Sequence, residues 1–364
     1  MERPSPEAVR SHLLRWFDAS KRDLPWRRTR DPYRIFVAEY LLQRTRVASG
    51  APYYERFLER FPDVRSLAAA SEDEVLRAWE GLGFYRRARN LHQAARVVVE
   101  KHGGQIPETA AELEELPGIG PYTAGAVASI AFGKPVAAVD GNVTRVLSRL
   151  FRIEVDVTKT SGWREVWSHA RALIPASRPG SFNQALMELG ATICTPASPR
   201  CGVCPVATLC LARAAGIQES LPRGPRARGP RTVPVVFAHI ESRGRILLVR
   251  RPDSGLLAGL WSLPGGEFYG ARNPRAALRD LVKSQTGLDV EIGDSAAPVA
   301  RTFSHRRWVG MIYRCRPLGN QMPDAEARWV SAAEALRLPM VPFHRTSVAS
   351  IRTRHGPAPV HGPA

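Results

Sequence analysis

The sequence contains few cysteines, few lysines and no long apolar run. No stretch approaches the roughly 18 apolar residues of a membrane-spanning helix, and residues 1–20 lack the apolar segment of a secretory signal. We therefore expect a soluble, cytoplasmic protein with no membrane partner. Four of the five cysteines lie close together between Cys194 and Cys210, which in a reducing compartment indicates metal ligands rather than a disulfide framework.

Acidic residues are scarce relative to basic ones. The chain has 34 Asp and Glu residues against 52 Lys and Arg residues, which gives a net charge of +18. Such an excess favours a polyanionic partner such as nucleic acid. Only five of the cations are lysine, and the base composition of a genome explains an arginine excess equally well. The charge therefore supports DNA binding without establishing it.

The length of 364 residues predicts more than one domain. Residues 1–220 form amphipathic patterns broken by glycine and proline, which predicts an all-α domain. Residues 221–232 are rich in arginine, proline and glycine and indicate an extended linker. The clearest helical segments of the first domain are Pro6–Ala19, Pro32–Val47, Ala51–Arg60 and Arg86–His102.

A second domain is predicted over residues 233–354. It contains apolar or β-branched runs and one helical segment, which predicts an α+β domain. Residues 355–364 are rich in proline and glycine and are predicted to be disordered. The chain shows no internal repeat, and we expect a multidomain monomer. The apolar runs cover 233–240, 245–250, 299–303 and 308–315, and the helix covers 274–286.

The clustered cysteines have the spacing of a metal site. They follow the pattern Cys194-x6-Cys201-x2-Cys204-x5-Cys210, at the end of the arginine-rich helical region. Zinc ribbons usually pair two close Cys-x-x-Cys motifs, whereas here only one such motif is present and the other gaps are wider. The spacing favours a [4Fe–4S] cluster and leaves zinc as the alternative. A bound cluster would hold the loop 194–210 in place.

Two glycines form a tight turn in the segment Leu116-Pro-Gly-Ile-Gly-Pro-Tyr122. Gly118 and Gly120 precede a helix that is predicted to begin near Pro121. Such a turn presents backbone N–H groups and a helix N-terminus to a phosphate, so it contacts DNA without reading sequence. An ordinary helix–helix connection is the alternative, because a Gly-x-Gly motif alone has low specificity.

Two carboxyl groups occupy positions suited to acid–base chemistry. Asp140 ends an apolar run immediately before a helix predicted over 142–151, where it is either an N-cap or a reactive group. Glu39 is the only charged residue between Ile35 and Leu42. If it faces the helical bundle, desolvation raises its pKa from about 4.3 to near 7, a differential cost of about 4 kcal/mol. If it faces solvent, it has no special role.

The order of these features resembles a known superfamily. The glycine hairpin over about 113–128, Asp140 and the downstream cysteines match the helix-hairpin-helix Gly/Pro-Asp DNA glycosylases over residues 16–216. In the bifunctional, endonuclease III-like members a lysine after the hairpin attacks the sugar, and Tyr122 stands at that position here. A phenol cannot form an imine, so the resemblance implies a monofunctional glycosylase.

Two further motifs resemble the adenine DNA glycosylase family, whose members remove adenine paired with 8-oxoguanine. They are Pro121-Tyr-Thr-Ala124 and the segment Cys194–Cys201. The resemblance implies that Glu39 protonates an adenine flipped out of the duplex. It also implies that ionised Asp140 stabilises or captures the resulting sugar cation.

The same resemblance implies which residues orient these groups and bind substrate. Departures from the family pattern occur at Arg44, where a glutamine is usual, at Phe84, where a tyrosine is common, and at Gln184, where a glutamate is frequent. The expected residues are Tyr122 and Asn142 beside the carboxyls, Trp26, Arg27 and Gln184 in the adenine pocket, Gln43, Arg44, Thr45, Phe84 and Tyr85 at the duplex and the orphan base, and Gly118 and Gly120 at a phosphate.

The second domain resembles another family without its catalytic motif. The segment Arg251–Gly266 is similar to the approach to a Nudix box, whose glutamates bind Mg²⁺. The resemblance implies a Nudix-like fold that is retained for binding, with no pyrophosphatase activity. Its 8-oxoguanine reader is expected in the loop Phe303-Ser304-His305. The glutamate positions of the box are occupied here by Arg272, Leu281, Ser284 and Gln285, and its arginine by Asp280.

These observations predict an iron–sulfur, monofunctional adenine DNA glycosylase that acts on duplexes containing A·8-oxoguanine or A·G pairs, associated with the nucleoid if the source is a bacterium. An endonuclease III-like pyrimidine glycosylase and lyase is one alternative, against which Tyr122 argues. A non-catalytic iron–sulfur DNA-binding protein is another, but it needs neither Glu39 nor Asp140. A Nudix hydrolase is disfavoured by the degraded box.

Overall fold

A computed structural model describes residues 3–43, 45, 47–225, 229–270, 273–303, 305–319, 323–324, 326–345 and 348. Helices dominate up to about residue 220, and the strands follow from Arg231 onward. Within this described part of the chain, no helix has the length and apolar character needed to cross a bilayer. The predicted combination of an all-α region and an α+β region is confirmed.

Proline and short polar side chains mark where many helices begin. Ser5 caps α1 through a hydrogen bond from the Ala8 N–H, and Asp31 caps α2 in the same way. The helices are α1 Pro6–Ser20, α2 Pro32–Leu42, α3 Val47–Arg60, α4 Val64–Ala69, α5 Glu72–Ala78, α6 Arg86–Lys101, α7 Ala110–Glu114, α8 Pro121–Phe132, α9 Gly141–Leu150, α10 Thr160–Leu173, α11 Pro179–Thr192, α12 Leu211–Ala214, α13 Pro274–Thr286 and α14 Ala332–Ala335.

The helix predicted from Pro32 ends earlier than expected. α2 stops at Leu42 instead of Val47. The reason is a buried arginine on α6, because the Arg87 guanidinium donates to the Leu41 carbonyl oxygen at 2.9 Å and to neighbouring carbonyl groups. The last carbonyls of α2 are therefore satisfied without a further helical turn. A local periodicity argument cannot detect a partner that is so distant in sequence.

Packing divides the described chain into two units. The first contains the described residues of Met1–Ala70 and Arg87–Arg226, and the second contains those of Ser71–Arg86 and Ala227–Ala364. The predicted helical domain over residues 1–220 includes Ser71–Arg86, whereas in the structure this segment packs with the C-terminal residues. Neither its composition nor its helical pattern indicates that association.

One hydrophobic cluster of the first unit lies between α1, α9, α10 and α11. Each helix contributes an apolar face with the helical repeat, as Val9, Leu13 and Phe17 do on α1. Phe182 on α11 and Leu147 on α9 are completely buried in the same cluster. This packing fixes α9 and α11 relative to each other, and both helices carry polar residues that are described below.

The predicted glycine hairpin is present between α7 and α8. Gly118 has a φ of +78°, and a Cβ atom there would lie 2.3 Å from Asn90 Nδ2. Both the backbone conformation and the available space therefore require glycine at this position. Gly125, within α8, lies so close to the following chain that a Cβ atom would be 2.1 Å from the Ala137 carbonyl oxygen. This close approach brings α8 beside the segment that precedes Asp140.

The second unit is built on a mixed sheet. Its strand order is β3-β2-β1-β6-β5, with β4 also paired to β1 and β7 to β2. β1 and β6 are parallel, and the other pairings are antiparallel. Helix α13 covers the sheet with Leu278 and Val282. The strands are β1 Arg231–Ser242, β2 Arg245–Arg250, β3 Trp261–Ser262, β4 Gly265–Glu267, β5 Val290–Thr302, β6 Arg306–Pro317 and β7 Ala327–Ser331.

The predicted strands of the second unit are confirmed and extended. The run predicted over 299–303 is the end of a strand that starts at Val290, and the run over 308–315 lies within β6. The helix predicted over 274–286 is confirmed at both ends. Phe303 follows β5 and His305 precedes β6, at the end of a long antiparallel pair.

The close approach at Gly125 predicts whether replacing this glycine with alanine stabilises or destabilises the protein. Alanine normally stabilises a helix interior by about 1 kcal/mol over glycine, but Gly125→Ala should destabilise the protein by about 1–3 kcal/mol, because the added methyl group meets a backbone carbonyl. Thermal unfolding measures the difference. Gly120→Ala is the control, because nothing lies within 4 Å of its added Cβ atom. A melting temperature for Gly125→Ala at or above that of the parent would contradict the packing described.

Candidate active site

Side chains from α2, α8, α9 and α11 of the first unit line one cavity of about 140 Å³. An engineered protein cavity of about 150 Å³ takes up benzene, so a space of this size admits a small ring system. Eight of the predicted site residues meet here: Trp26, Arg27, Glu39, Thr45, Tyr122, Asp140, Asn142 and Gln184. Two further charged residues also line this cavity, Arg22 and Glu188, and neither belongs to the set predicted from sequence.

Glu39 is buried at the wall of the cavity. It lies on α2, whose surrounding residues Ile35 to Leu41 are all buried, and its own side chain is 6% exposed. The Tyr122 hydroxyl donates to Glu39 Oε2 at 2.7 Å. Burial raises the pKa of Glu39 to about 7; the Tyr122 hydrogen bond opposes that shift and the charge of Asp140 adds to it. The solvent-facing alternative for Glu39 is therefore wrong.

Asp140 combines two roles that the sequence analysis treats as alternatives. Its Oδ1 accepts from the Val143 N–H at 2.7 Å, so it is the N-cap of α9. Its Oδ2 accepts from Asn142 Nδ2 at 2.8 Å, and both residues line the cavity. Burial raises the pKa of Asp140, whereas these hydrogen bonds act in the opposite direction. Capping thus fixes the orientation of the carboxylate without removing it from the site.

Glu188 anchors the cationic side of the cavity. It is buried on α11 and accepts from Arg22 Nε at 2.7 Å and from Arg27 Nη2 at 2.8 Å. Burial alone would raise the pKa of Glu188, but the hydrogen bonds from the two arginines outweigh it and lower the pKa to about 2. Glu188 follows Gln184 by one helical turn within an apolar segment, so the argument applied to Glu39 would have found it.

Arg27 has one donor that remains unassigned. Its Nε is buried without a hydrogen-bond partner among the described residues, while its other nitrogens bind Glu188 and the Arg22 carbonyl. A buried unsatisfied donor is unfavourable unless a ligand supplies the acceptor. Trp26 is buried beside it and packs edge-on against Tyr54, with ring centroids 5.5 Å apart. Trp26 therefore packs against an aromatic neighbour and also lines the cavity.

The chain after α2 lies beside the cavity. Gln43 Nε2 donates to Thr123 Oγ1 at 3.0 Å, and Thr45 Oγ1 accepts from Arg87 Nη2 at 3.1 Å. Arg87 therefore fixes this segment, a role that the sequence analysis missed. Arg44, which was expected to contact the duplex, lies outside the described residues.

The four clustered cysteines line a second, small cavity of about 20 Å³ next to α9. Arg149, a buried residue of α9, donates to Cys194 Sγ at 3.3 Å and to the Thr195 carbonyl oxygen at 2.7 Å. No three His, Cys, Asp or Glu side chains converge as ligands of a single metal ion in the part of the chain described. In a cubane cluster each thiolate binds a different iron, so its ligands need not converge on one point.

Helix α9 connects the two cavities. Arg145 donates from Nε to the Cys194 carbonyl oxygen at 2.8 Å and from Nη2 to Asn142 Oδ1 at 2.9 Å. Asn142 in turn binds Asp140. The cysteine loop and the carboxylate are thus held by one continuous set of hydrogen bonds.

The turn at Gly81–Tyr85 belongs to the second unit. Phe84 is 42% exposed and has a φ of +49°. Tyr85 is buried, and its hydroxyl accepts from the Gly81 N–H at 3.3 Å. Phe84 is thus exposed at the tip of the turn, and Tyr85 maintains the turn's shape from inside.

The loop between β5 and β6 is closed by its own backbone. The Phe303 N–H donates to the Arg306 carbonyl oxygen at 2.7 Å, and the Phe303 ring packs edge-on against Trp308 with centroids 5.0 Å apart. His305 is exposed, and Ser304 lies outside the described residues. Glu267 holds the base of the loop, because it accepts from Trp308 Nε1 at 2.6 Å and pairs with Arg306.

The degraded Nudix positions serve structural roles where they are described. Gln285 Oε1 accepts from the Gly265 N–H at 2.7 Å, and its Nε2 donates to the Gly265 carbonyl oxygen at 3.1 Å. Ser284 donates to the Leu281 carbonyl oxygen within α13. Arg272 lies outside the described residues.

Two family models match the sequence. The HhH-GPD superfamily base excision DNA repair protein model matches residues 37–168, and the NUDIX domain model matches residues 235–350. The first match spans α2 to α10 and includes Glu39, Tyr122 and Asp140. The predicted pair of domain families is confirmed.

Relatives and solved structures are similar to this chain. The adenine DNA glycosylase of Homo sapiens is 37% identical over 403 residues, covering 94% of this chain and 72% of the human protein. That of Mus musculus is 42% identical, covering 90% of this chain and 74% of the mouse protein. A thermostable thymine-DNA glycosylase has a TM-score of 0.53 at 32% identity and covers 58% of this chain and 97% of its own. A trapped endonuclease III–DNA covalent intermediate has a TM-score of 0.50 at 26% identity and covers 58% and 99%.

The environment of Glu39 predicts a pH-dependent stability. Its folded pKa of about 7 lies above its ordinary value of 4.5. The stabilising contribution of the neutral carboxyl is therefore full below pH 4.5 and is lost as the pH rises to about 7, a change of ~3 kcal/mol. Glu39→Gln cannot ionise, so its melting temperature relative to the parent should rise between pH 4.5 and pH 8. Calorimetry at both pH values checks this.

Glu188→Gln is the matched control, and its effect has the opposite sign. Its folded pKa of about 2 lies below 4.5, so its stabilisation is present above pH 4.5 and is lost as the pH falls towards 2. Glu188→Gln should therefore be most destabilised at neutral pH and approach the parent in acid. If the melting temperature of Glu39→Gln relative to the parent were the same at both pH values, this result would contradict the buried position described for this carboxyl.

Proposed function

Because the chain belongs to the adenine DNA glycosylase family, we propose that it removes adenine paired with 8-oxoguanine, and with guanine, from duplex DNA by hydrolysis without strand cleavage. The observation that carries the proposal is the pair of carboxyl groups, Glu39 and Asp140, at one cavity sized for a ring system. At the same cavity, Tyr122 provides a phenol where lyase chemistry would need an amine.

Glu39 acts as the general acid. A leaving purine must be protonated, and a carboxyl group with a pKa of about 7 is about half protonated at neutral pH. Its Oε2 accepts from Tyr122, which leaves Oε1 to carry the proton. Because the glycosidic bond is inaccessible inside the stack, adenine must first be extruded into the cavity.

Asp140 acts on the sugar. Departure of the protonated adenine breaks the glycosidic bond and leaves positive charge on the sugar, which a fixed carboxylate stabilises or captures at the anomeric carbon. A water molecule then adds to that carbon, displacing the carboxylate if it has bonded there, and the proton released from the water restores the neutral Glu39 carboxyl. Two donors, the Val143 N–H and Asn142 Nδ2, hold the carboxylate in place before the reaction. Preorganised groups of this kind need no rearrangement when charge develops.

Arg27, Trp26 and Gln184 are the proposed base-binding residues. The unsatisfied Arg27 Nε supplies a donor for a ring nitrogen, and Glu188 fixes its direction. Gln184 Nε2 donates to the Gly180 carbonyl oxygen at 3.3 Å, so the amide oxygen remains as an acceptor for an exocyclic amino group. Trp26 provides an apolar face for stacking.

The four cysteines around the second cavity provide the donor set of an iron–sulfur cluster. Cys194, Cys201, Cys204 and Cys210 would hold a [4Fe–4S] cluster, and buried Arg149 offers a cationic donor to the thiolate of Cys194. The cluster, when bound, supplies a covalent tie across the loop 194–210. The protein's own contribution is the set of carbonyl contacts from Arg145 and Arg149 that anchors this loop to α9.

The remaining predicted residues are assigned to the duplex. The turn with Gly118 and Gly120 leads into the N-terminus of α8, which has no side-chain cap and suits a phosphate. Phe84 is proposed to enter the duplex beside the base opposite adenine. The loop 303–305 is proposed to read 8-oxoguanine, in which N7 carries a hydrogen and presents a donor instead of an acceptor.

A panel of duplexes tests the proposal. Incubation with A·8-oxoguanine, A·G and C·8-oxoguanine pairs should release adenine from the first two, fastest opposite 8-oxoguanine. Strands should break only after alkaline treatment, because the product is an intact abasic site. Strand breaks without alkali would indicate an endonuclease III-like lyase. Binding without any base release would indicate a non-catalytic DNA-binding protein.

Asp140→Asn separates the reaction from helix capping. Asparagine caps helices as well as aspartate does, so the fold and the duplex affinity should persist while the single-turnover rate of base release falls by at least ~1,000-fold. Asp63→Asn is the control, because Asp63 caps α4 through the Ser66 N–H and lies outside the cavity. Substantial activity of Asp140→Asn would remove this carboxylate from the mechanism.

A further inference from the structure

The segment Ser71–Arg86 lies between α4 and α6 in sequence but packs with the C-terminal residues. It contains α5 and the turn 81–85. Gly81, Gly83 and Phe84 in this turn have φ values of +98°, +69° and +49°. Glycine tolerates this region, whereas a bulky residue such as Phe84 is strained there. A strained conformation persists only where the surrounding structure fixes it.

The turn is shaped by its own side chains. Trp79 Nε1 donates to the Gly83 carbonyl oxygen at 3.1 Å, and the Gly81 N–H donates to the Tyr85 hydroxyl at 3.3 Å. These bonds determine how the chain folds locally. They do not determine where the turn sits on the rest of the second unit.

The attachment is made by Glu80, immediately before the turn. Arg345 donates from Nε to Glu80 Oε1 at 2.7 Å and from Nη2 to Glu80 Oε2 at 2.6 Å. The two side chains are only 23% and 18% exposed, so most of the paired charge is removed from solvent. A bidentate pair of this kind fixes orientation as well as distance.

Arg345 is itself held by the chain that follows α14. It donates to the carbonyl oxygens of Leu336 and Leu338, the second at 2.7 Å. Arg77, at the end of α5, donates to the carbonyl oxygen of Arg337 at 3.0 Å. The segment that carries the turn is thus joined to consecutive backbone groups of the C-terminal residues. Removing Arg345 would leave the Glu80 carboxylate largely buried without its cation.

We propose that Arg345 and Glu80 are positioning residues that make the placement of turn 81–85, and of the Phe84 ring, depend on the C-terminal residues. The inference rests on the proposed function, in which Phe84 enters the duplex. The C-terminal residues then act on mispair recognition by two routes, through their own loop 303–305 and through this turn. Neither Arg345 nor Glu80 needs to touch DNA for the second route.

Arg345→Met and Glu80→Gln in the full-length protein test the proposal. The probe is a duplex that carries 2′-fluoro-2′-deoxyadenosine opposite 8-oxoguanine or guanine. Each variant should bind the 8-oxoguanine duplex about tenfold more weakly, and the double variant should be no weaker than the worse single variant, because both remove the same contact. The single-turnover rate at saturating enzyme should fall by less than about twofold, because the carboxyls of the cavity are unaffected.

Measuring the effect of Arg345→Met on binding in a Phe84→Ala protein as well distinguishes positioning from general destabilisation. If Arg345 acts through the turn, Arg345→Met should have no further effect on binding in a Phe84→Ala protein, whereas a global loss of structure would weaken binding in both backgrounds. Lys283→Met with Asp289→Asn removes an exposed ion pair of 2.7 Å in the same unit and is the control. It should bind like the parent.

The outcomes separate this inference from the proposed function. A parent protein that releases no adenine opposite 8-oxoguanine contradicts the proposed function itself. An active parent whose Arg345→Met and Glu80→Gln variants bind the duplex as tightly as the parent overturns the positioning role. Equal weakening by Arg345→Met in the parent and in the Phe84→Ala background also overturns it. If Arg345→Met fails to fold, Glu80→Gln carries the same comparison.

Discussion

The burial of one carboxyl group on α2 sets the requirements for the rest of the site. Glu39 can hold a proton near neutral pH because burial among apolar side chains disfavours its charged form, and among the described residues the Tyr122 hydroxyl is the hydrogen-bond partner that orients it. The apolar run around Glu39, the tight passage at Gly125 and the position of α8 all serve this arrangement. Asp140 completes it from α9, where capping fixes the second carboxyl.

Arginines organise the backbone around this site. Arg87 of α6 binds carbonyl groups at the end of α2, and Arg145 and Arg149 anchor the cysteine loop to α9. Each guanidinium has several donors in a rigid plane and so satisfies carbonyl groups from segments that lie far apart in sequence. Part of the arginine excess, which by composition alone suggested a polyanionic partner, is therefore structural. The charge of the whole chain overstates the number of cations available to DNA.

Much of the fold and most of the cavity were predictable. Glu39 stands out as a single charge in an apolar helix, Asp140 as an acid before a helix, and the four cysteines by their spacing. Glu188 has the same local signature as Glu39, a single charge in an apolar helix, but it was not predicted. Its partners Arg22 and Arg27 are distant in sequence, so nothing beside Glu188 identifies them. The end of α2 and the attachment of Ser71–Arg86 were missed because both depend on arginines distant in sequence.

The amino-acid sequence by itself determined the helical and strand segments through local periodicity. Its motifs indicated the two domain families and the proposed reacting groups through their resemblance to known proteins. Only the tertiary structure decided that Glu39 is buried, that Glu188 holds two arginines at the cavity, and that Glu80 is held by Arg345. Each of these is a matter of desolvation or ion pairing between segments that meet only after folding. The pKa of a buried carboxyl and the partner of a buried ion pair both depend on residues from other segments, and the local sequence does not identify those residues.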